Sequence, residues 1–259
     1  MKGKVRAAIL ATSEGKCIYC GGTEIADTID HMPPIILFKG KQRPKGWEFP
    51  SCAACNKGAS HSDLVAAMFG RAWPNLSPNE GDEMRGIFNA VRNNIPGLLE
   101  EMNPSPERRA RMEAKLGMQP GDHGFLAMDG PIAMSYMRAF GARLAIAMHF
   151  NHTGQILPST GGASVRIYSN VELFGGKLPQ EILDLLPEPS TLIAGSNNMG
   201  DQFRTSTRVA DGGQMTMTFA TFRLSFGLMT WTAVERSKLT DPSYPAAAEP
   251  LRPGYLRKI

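Results

Sequence analysis

Residues 17–56 read CIYCGGTEIADTIDHMPPIILFKGKQRPKGWEFPSCAACN, and this stretch holds all four cysteines of the chain. The cysteines form two C-x2-C pairs that are separated by 31 residues. A C-x2-C turn directs two thiolates at one ion, and a second such turn completes a tetrahedron with Zn–S distances of about 2.3 Å. Gly21 and Gly22 suit a tight turn that needs positive φ. The spacing therefore predicts a structural zinc site formed by Cys17, Cys20, Cys52 and Cys55.

The cysteines also allow two other interpretations. Two disulfides would require an oxidising compartment, and nothing in the sequence indicates one. A thiol redox motif needs only one C-x2-C pair, whereas this chain has two. Because four thiolates fill the coordination shell of zinc, such an ion has no open position. Any chemistry must then come from other residues.

The residues between and just after the cysteine pairs carry a second pattern. Asp30 and His31 begin the sequence Asp-His-x-Pro-Pro, and Asn56 directly follows the last cysteine. In this arrangement the chain resembles the HNH, or ββα-metal, endonucleases, and most of all their zinc-stapled branch typified by phage endonuclease VII. It is also similar to a group of bacterial HNH proteins with Asp-His-x-Pro-Pro and Pro-x-Cys-x-x-Cys-Asn motifs. The resemblance implies that Asp30 and Asn56 hold a catalytic divalent cation, Mg²⁺ or Mn²⁺, and that His31 is the general base.

The chemistry of phosphodiester hydrolysis agrees with these residue types. The reaction needs a nucleophile made from water and a positive charge that stabilises the developing oxyanion. An imidazole with an ordinary pKa near ~6.5 can accept the proton of that water at neutral pH. Carboxylate and amide oxygens suit Mg²⁺, which keeps several waters and accepts phosphate oxygens. The resemblance and the chemistry together predict a metal-dependent endonuclease that acts on DNA.

The chain departs from the family pattern at one position, and several alternative functions remain open. Many HNH sequences carry an Asn shortly before the third cysteine, where it braces a loop, but residues 46–51 read GWEFPS and contain no Asn. Taken alone, His31 would more simply be a surface or core histidine. A domain of this kind can also keep its zinc without cleaving, and then bind nucleic acid or a protein partner. A zinc-stabilised assembly protein is a third alternative.

Basic residues are concentrated in the segment that holds the cysteines. Residues 1–58 contain nine Lys and Arg against five Asp and Glu, whereas the rest of the chain contains 19 of each, so the net charge of +4 arises there. This distribution favours a polyanionic partner. We predict that the loop before the second cysteine pair, together with the lysine that follows Asn56, contacts phosphate groups. The alternative is that these residues form a solvated surface. The predicted DNA-binding residues are Lys39, Lys41, Arg43, Lys45 and Lys57.

The fold class predicted from the whole chain is α+β. We expect a small zinc-stapled ββα-metal unit at 1–62, a mixed helical and antiparallel-sheet domain at 63–239 and an extended Pro-rich tail at 240–259. Apolar residues at helical spacing predict helices, and alternating patterns predict strands. The helices are expected at Leu64–Ala72, Met84–Ile95, from Ser105-Pro106-Glu107 onward, at Pro131–Phe150 and at Pro179–Leu186, and the strands at Ser164–Tyr168, Phe203–Val209, Met215–Phe219 and Phe222–Val234.

Three histidines outside the motif are given no catalytic role. We expect His61 at the surface or at a helix cap, and His149 and His152 as surface groups or as partners of a helix dipole. The sequence has no apolar run of about 18 residues and no convincing secretory signal, so we expect a cytoplasmic protein that meets no membrane. A homodimer, the target of cleavage and the role of the second domain are left open.

Overall fold

The computed structural model describes residues 3–72, 77–117, 119, 126–175, 178–194, 197–240 and 249–255. Its helices are α1 (Gly3–Ala11), α2 (Ala53–Gly58), α3 (Ser60–Arg71), α4 (Pro78–Asn94), α5 (Leu98–Met102), α6 (Pro106–Leu116), α7 (Pro131–Thr153), α8 (Asn170–Phe174) and α9 (Gln180–Leu183). Its strands are β1 (Thr28–His31), β2 (Glu48–Ser51), β3 (Gly162–Ser169), β4 (Ile193–Ala194), β5 (Asn197–Asn198), β6 (Phe203–Ala210), β7 (Met215–Phe222) and β8 (Phe226–Ala233).

The N-terminal part of the chain contains a short β-hairpin followed by two helices. β1 pairs antiparallel with β2 over the full length of both strands. α2 starts directly after Cys52, whose sulfur accepts a hydrogen bond from the Cys55 amide and so caps the helix. The hairpin, the helix and the two cysteine turns are therefore packed into one unit, which places the end of β1 beside the start of α2.

The start of α3 differs from the prediction. The predicted helix begins at Leu64, but α3 begins at Ser60, so Ser62 and Asp63 lie inside it. Asp63 forms an ion pair with Arg143. A partner in another part of the chain thus determines where this carboxylate lies. The predicted boundary between the nuclease unit and the accessory domain, at residues 62 and 63, falls inside α3. The division itself stays a prediction.

A four-stranded antiparallel sheet, with strand order β3-β8-β7-β6, forms most of the C-terminal part. The run 222–234 was expected to be one strand, but Phe222 ends β7 and β8 begins at Phe226. Between them lies a turn in which Arg223 adopts a φ of 51°. The helix expected at Pro179–Leu186 is shorter, Gln180–Leu183. The mixed α and β character with antiparallel sheets is confirmed.

Helix α7 lies at the centre of the fold, between α3 and one face of the four-stranded sheet. Every residue from Ala139 to Phe150 is buried, and a helix covered on all sides is expected to be apolar all round. Arg143 and His149 are the two strongly polar side chains in this stretch. The prediction of a surface or dipole role for His149 is wrong, because the sheet covers it and its Nδ1 lies 2.9 Å from Thr232 Oγ1. His152, one turn further along, is exposed as predicted.

One hydrophobic core joins the N-terminal unit to the rest of the protein. It contains Tyr19 and Phe38 from the N-terminal unit together with Val65 of α3, Phe140 of α7 and Phe222 of β7. A continuous core of this kind couples the stability of the two parts, because neither can lose its packing without exposing apolar surface of the other.

Residues 249–255 pack against the edge of the sheet and against the N-terminal unit. Leu251 pairs with Ala163 at the edge of the sheet, and the Gly254 amide donates a hydrogen bond of 2.7 Å to the Tyr19 carbonyl. Of the predicted tail, residues 241–248 and 256–259 lie outside the described residues. Within the described ranges, no helix has both the length and the apolar character that a bilayer crossing requires.

Candidate functional site

The four cysteines form a compact buried cluster. Their sulfur atoms all lie within 4.8 Å of one another, and all four residues are buried. Gly21 and Gly22 follow the first pair with φ angles of 69° and 75°, the left-handed turn that their sequence predicts. In the described part of the chain, no other group of three or more His, Cys, Asp and Glu side chains is close enough to hold a metal ion. The cluster is compatible with a structural zinc site.

The cysteine thiols shift one another's pKa in opposite directions. A hydrogen bond with Cys17 lowers the pKa of Cys20, and the same contact raises the pKa of Cys17 to about 12. Hydrogen bonds with these two neighbours raise the pKa of Cys55 as well. Cys17, Cys20 and Cys55 therefore do not ionise together unless a cation balances their charge, which is the role that zinc has in structural sites with four cysteine ligands.

Beside the cysteine cluster lies an open cavity of about 380 Å³. Asp30, His31 and Asn56 all line it, so the structure brings the three motif residues to one place. β1 ends at His31, and Asn56 lies in the first turn of the helix that follows β2. Residues that the motif does not include complete the cavity wall, and the charged ones among them are Arg43, Lys45, Glu48, Asp63 and Arg143.

The carboxylate of Asp30 is almost completely buried and is held by two other side chains. Arg143 donates from Nε to Oδ2 at 2.9 Å and from Nη2 to Oδ1. The Tyr19 hydroxyl also donates to Oδ2. Because Tyr19 lies inside the first cysteine turn, the cysteine cluster and α7 jointly fix the orientation of Asp30. The guanidinium of Arg143 further binds Asp63 through Nη1 and lies 5.9 Å from the centre of the Tyr19 ring.

The sequence alone does not reveal Arg143, Asp63 or Tyr19 as site residues. Arg143 is 113 positions from Asp30 in the chain, so no local pattern connects them. A signal was nevertheless present, because Arg143 is the one Lys, Arg, Asp or Glu in the largely apolar stretch 139–150 of the predicted helix. A buried arginine requires a carboxylate partner, although the sequence does not say which one.

His31 is partly buried at the edge of the cavity. Burial lowers the pKa of its imidazole below the ordinary 6.5, and the positive charge of Arg43 lowers it further. The nearby carboxylates of Glu48 and Asp30 act in the opposite direction. The net result favours a neutral ring near pH 7, the state in which a histidine can accept a proton.

Asn56 connects α2 to β1. Its Nδ2 donates to Thr28 Oγ1 at 3.2 Å and to the Ile29 carbonyl at 3.4 Å. The amide oxygen accepts no hydrogen bond within the described ranges, and Asp30 Oδ1 accepts only the one from Arg143 Nη2. Asp30 Oδ1 thus keeps one unused lone-pair site in addition to the bond from Arg143. Oxygen donors of the carboxylate and amide types suit a hard cation such as Mg²⁺, which completes its shell with waters and phosphate oxygens.

Among the predicted phosphate-binding residues, Arg43 has a different role. Its guanidinium is buried and donates to the carbonyl groups of Pro33 and Pro44 at 2.7 and 2.9 Å. Further bonds reach the carbonyls of Met32, Gly46 and Trp47, and Glu48 is its ion-pair partner. The prediction of a phosphate contact for Arg43 is wrong, because these partners occupy its donors. Arg43 instead braces the loop in which the expected Asn is missing.

The predicted lysines remain on the surface. Lys41, Lys45 and Lys57 are exposed, and Lys45 lines the cavity. Lys39 is also exposed, but its ammonium group lies 3.2 Å from a carboxylate oxygen of Glu80. Lys41, Lys45 and Lys57 therefore have no ion-pair partner among the described residues, and of these three Lys45 is the one that lines the cavity.

Asp63 lies in the cavity wall, whereas His61 lies outside it. Burial raises the pKa of Asp63 to about 7, against the opposing influence of Arg143. His61 is exposed and is not part of the cavity wall; its ring lies 6.2 Å from the ring of Tyr136. His61 thus lies at the surface, as predicted.

Comparison of the chain with protein-family models, with curated proteins and with solved structures found no match.

Proposed function

We propose that this protein is a metal-dependent endonuclease of the HNH type that hydrolyses phosphodiester bonds in DNA. The observation that carries the proposal is the convergence of Asp30, His31 and Asn56 on one open cavity beside the four-cysteine cluster. A β-hairpin followed by a helix, as in β1, β2 and α2, is also the arrangement that the name ββα-metal describes. Zinc in the cysteine cluster has a structural role in this proposal.

Each motif residue has a defined task in the proposed reaction. His31, with its neutral imidazole, accepts the proton of the attacking water. Asp30 and Asn56 are the residues that would hold Mg²⁺ or Mn²⁺, and the bound cation supplies positive charge to the phosphate and to the leaving oxygen. Lys45 and Lys57 contact phosphates next to the scissile bond and position the strand.

The second candidate is a zinc module that binds nucleic acid or a protein partner without cleaving. One observation favours it: both carboxylate oxygens of Asp30 are already bound by Arg143, and Tyr19 binds one of them as well. In that case the ion pair would be a permanent structural link, and added divalent cations would leave the protein unchanged.

Nicking of supercoiled plasmid distinguishes the two candidates. We expect purified, zinc-loaded protein to nick the plasmid when Mg²⁺ or Mn²⁺ is added and to be inactive in EDTA. His31→Ala should lower the rate by about 10²-fold or more, as expected for loss of a general base. His61→Ala is the matched control, because His61 is an exposed histidine outside the cavity, and it should retain the wild-type rate.

Folding is checked in the same samples by zinc content and circular dichroism. If wild-type protein that holds one zinc cleaves neither DNA nor RNA with any added divalent cation, the nuclease proposal fails and the binding module is favoured. Equal nicking by His31→Ala and wild type would also reject the assigned general base.

A further inference from the structure

Arg143 places a permanent positive charge beside the carboxylate that the proposed nuclease uses to bind its cation. Three hydrogen bonds reach the two oxygens of Asp30, two from Arg143 and one from Tyr19. A carboxylate offers about four lone-pair sites, so about one remains, on Oδ1. Without any bound cation, the negative charge of Asp30 is therefore already balanced by Arg143, and most of its lone-pair sites already accept hydrogen bonds.

A divalent cation at Asp30 would be repelled by the guanidinium. Both side chains are 2% exposed, so solvent screens the repulsion little. A unit positive charge within about 5 Å of a divalent cation weakens its binding by on the order of tenfold even at the dielectric of water, and by more in a protein interior. The other ligand, Asn56, is neutral and contributes no compensating charge.

The other negative charges of the cavity wall are also engaged. Asp63 Oδ1 accepts a hydrogen bond from Arg143 Nη1, and Glu48 forms an ion pair with Arg43 at 3.6 Å. Arg143 is thus anchored at two carboxylates and cannot leave the site easily. Without nucleic acid, the cavity therefore has little net negative charge with which to attract a cation. A phosphate group of nucleic acid would add negative charge and further oxygen ligands.

We propose that Arg143 keeps cation binding weak in the free protein, so that the catalytic cation binds strongly only together with a phosphate of the nucleic acid. This inference rests on the proposed function. Arg143 acts here as a positioning residue, because it touches Asp30 and not the reacting atoms. Cation and nucleic acid then bind cooperatively, and each raises the affinity for the other by the same factor. The inference also assigns a task to α7, which is to control the charge of the proposed nuclease site.

A matched pair of variants tests the effect of Arg143. Removing the arginine alone would leave two buried carboxylates unpaired and destabilise the fold, so both variants also lack the Asp63 charge. Asp63→Asn keeps the Arg143–Asp30 pair, and Arg143→Met/Asp63→Asn removes only the guanidinium in addition. Mn²⁺ binding is titrated by the electron paramagnetic resonance signal of the free ion, without nucleic acid. We expect the double variant to bind Mn²⁺ about tenfold or more tightly than Asp63→Asn. Equal affinities would overturn the inference.

A second measurement needs no change at Arg143 and decides the question if the double variant does not fold. Mn²⁺ binding to His31→Ala protein is measured with and without a DNA duplex of about 20 base pairs, and the ions bound by duplex alone are subtracted. We expect at least about tenfold tighter Mn²⁺ binding in the presence of the duplex. An affinity that does not change with DNA would overturn the inference.

An Asp30→Asn control separates this inference from the proposed function. Tight Mn²⁺ binding that requires Asp30 but ignores both Arg143 and DNA would overturn the inference and leave the nuclease proposal intact. If no sample shows binding that depends on Asp30, the cation site and the inference fail together.

Discussion

His149 should make the stability of the protein sensitive to acid. The ring is completely buried, and burial lowers its pKa from the ordinary 6.5 to about 4. Nδ1 contacts Thr232, whereas Nε2 has no hydrogen-bond partner in the described structure that could support a charge. The unfolded chain therefore takes up a proton near pH 6.5 and the folded protein only near pH 4. The stability contributed by the neutral ring is fully present above pH 6.5, decreases as the pH falls through this interval and levels off below it.

The two pKa values determine the size of the effect. Their difference corresponds to about 3 kcal/mol in total, of which about 2 kcal/mol is lost between pH 7.5 and pH 5. Urea unfolding at these two pH values would measure the loss for wild type and for His149→Asn, whose amide can still bond to Thr232 but does not titrate. We expect the variant to lose about 2 kcal/mol less than wild type over the interval.

An exposed histidine provides the control for this experiment. His61→Asn should lose as much stability as wild type between the two pH values, since His61 is exposed. Release of zinc and protonation of carboxylates affect all three proteins alike, so the difference between wild type and variant isolates His149. Equal losses in wild type and His149→Asn would refute the reasoning.

Three other predictions concern the zinc, the braced loop and the DNA-binding surface. Cys52→Ser should lose zinc in a metal assay and unfold at least the N-terminal unit, whereas Asp30→Asn should keep its zinc; loss of zinc from Asp30→Asn would show that the ligands are misassigned. Arg43→Lys should lower the free energy of unfolding in urea by about 2 kcal/mol or more, because lysine cannot reach the several carbonyl groups that Arg43 binds, and a change below about 0.5 kcal/mol would reject the brace. A triple Lys→Gln variant at Lys41, Lys45 and Lys57 should reduce the slope of log K for DNA binding against log salt concentration by up to about 3. The control Lys16→Gln should leave the slope unchanged. An unaltered slope in the triple variant would show that these three lysines are solvated surface residues that do not contact DNA.

Local patterns predicted the parts of the fold that local physics determines. Ser105 accepts a hydrogen bond from the Arg108 amide and opens α6, as a capping residue before Pro and Glu should. α4 contains the predicted helical period from Met84 to Asn94, with Ile95 as its C-cap, and α7 begins at Pro131 as expected. The cysteine turns also belong to this class, because the spacing of two thiols and the following glycines decides their geometry within a few residues.

The parts that could not be predicted depend on partners far away in the chain. Arg43 was expected to contact DNA because a sequence shows its charge but not the carbonyl groups that surround it. The sequence predicts His149 as a surface group or a partner of the helix dipole, yet strand β8, about eighty positions later in the chain, covers it. The ion pair of Arg143 with Asp30 likewise exists only after α7 has packed against the cysteine turn. In each case the side chain was visible in the sequence and its environment was not.

Chemical rescue of His31→Ala tests the central claim most directly. The variant removes an imidazole from a cavity of about 380 Å³, which is large enough to admit the small molecule imidazole. We predict that added imidazole partly restores Mg²⁺-dependent plasmid nicking by His31→Ala, because this variant lacks only the proton acceptor that imidazole replaces. Asp30→Asn should stay inactive with imidazole, because it lacks a cation ligand instead. Nicking by His31→Ala at the wild-type rate without imidazole, or wild-type protein that never cleaves nucleic acid, would contradict the account.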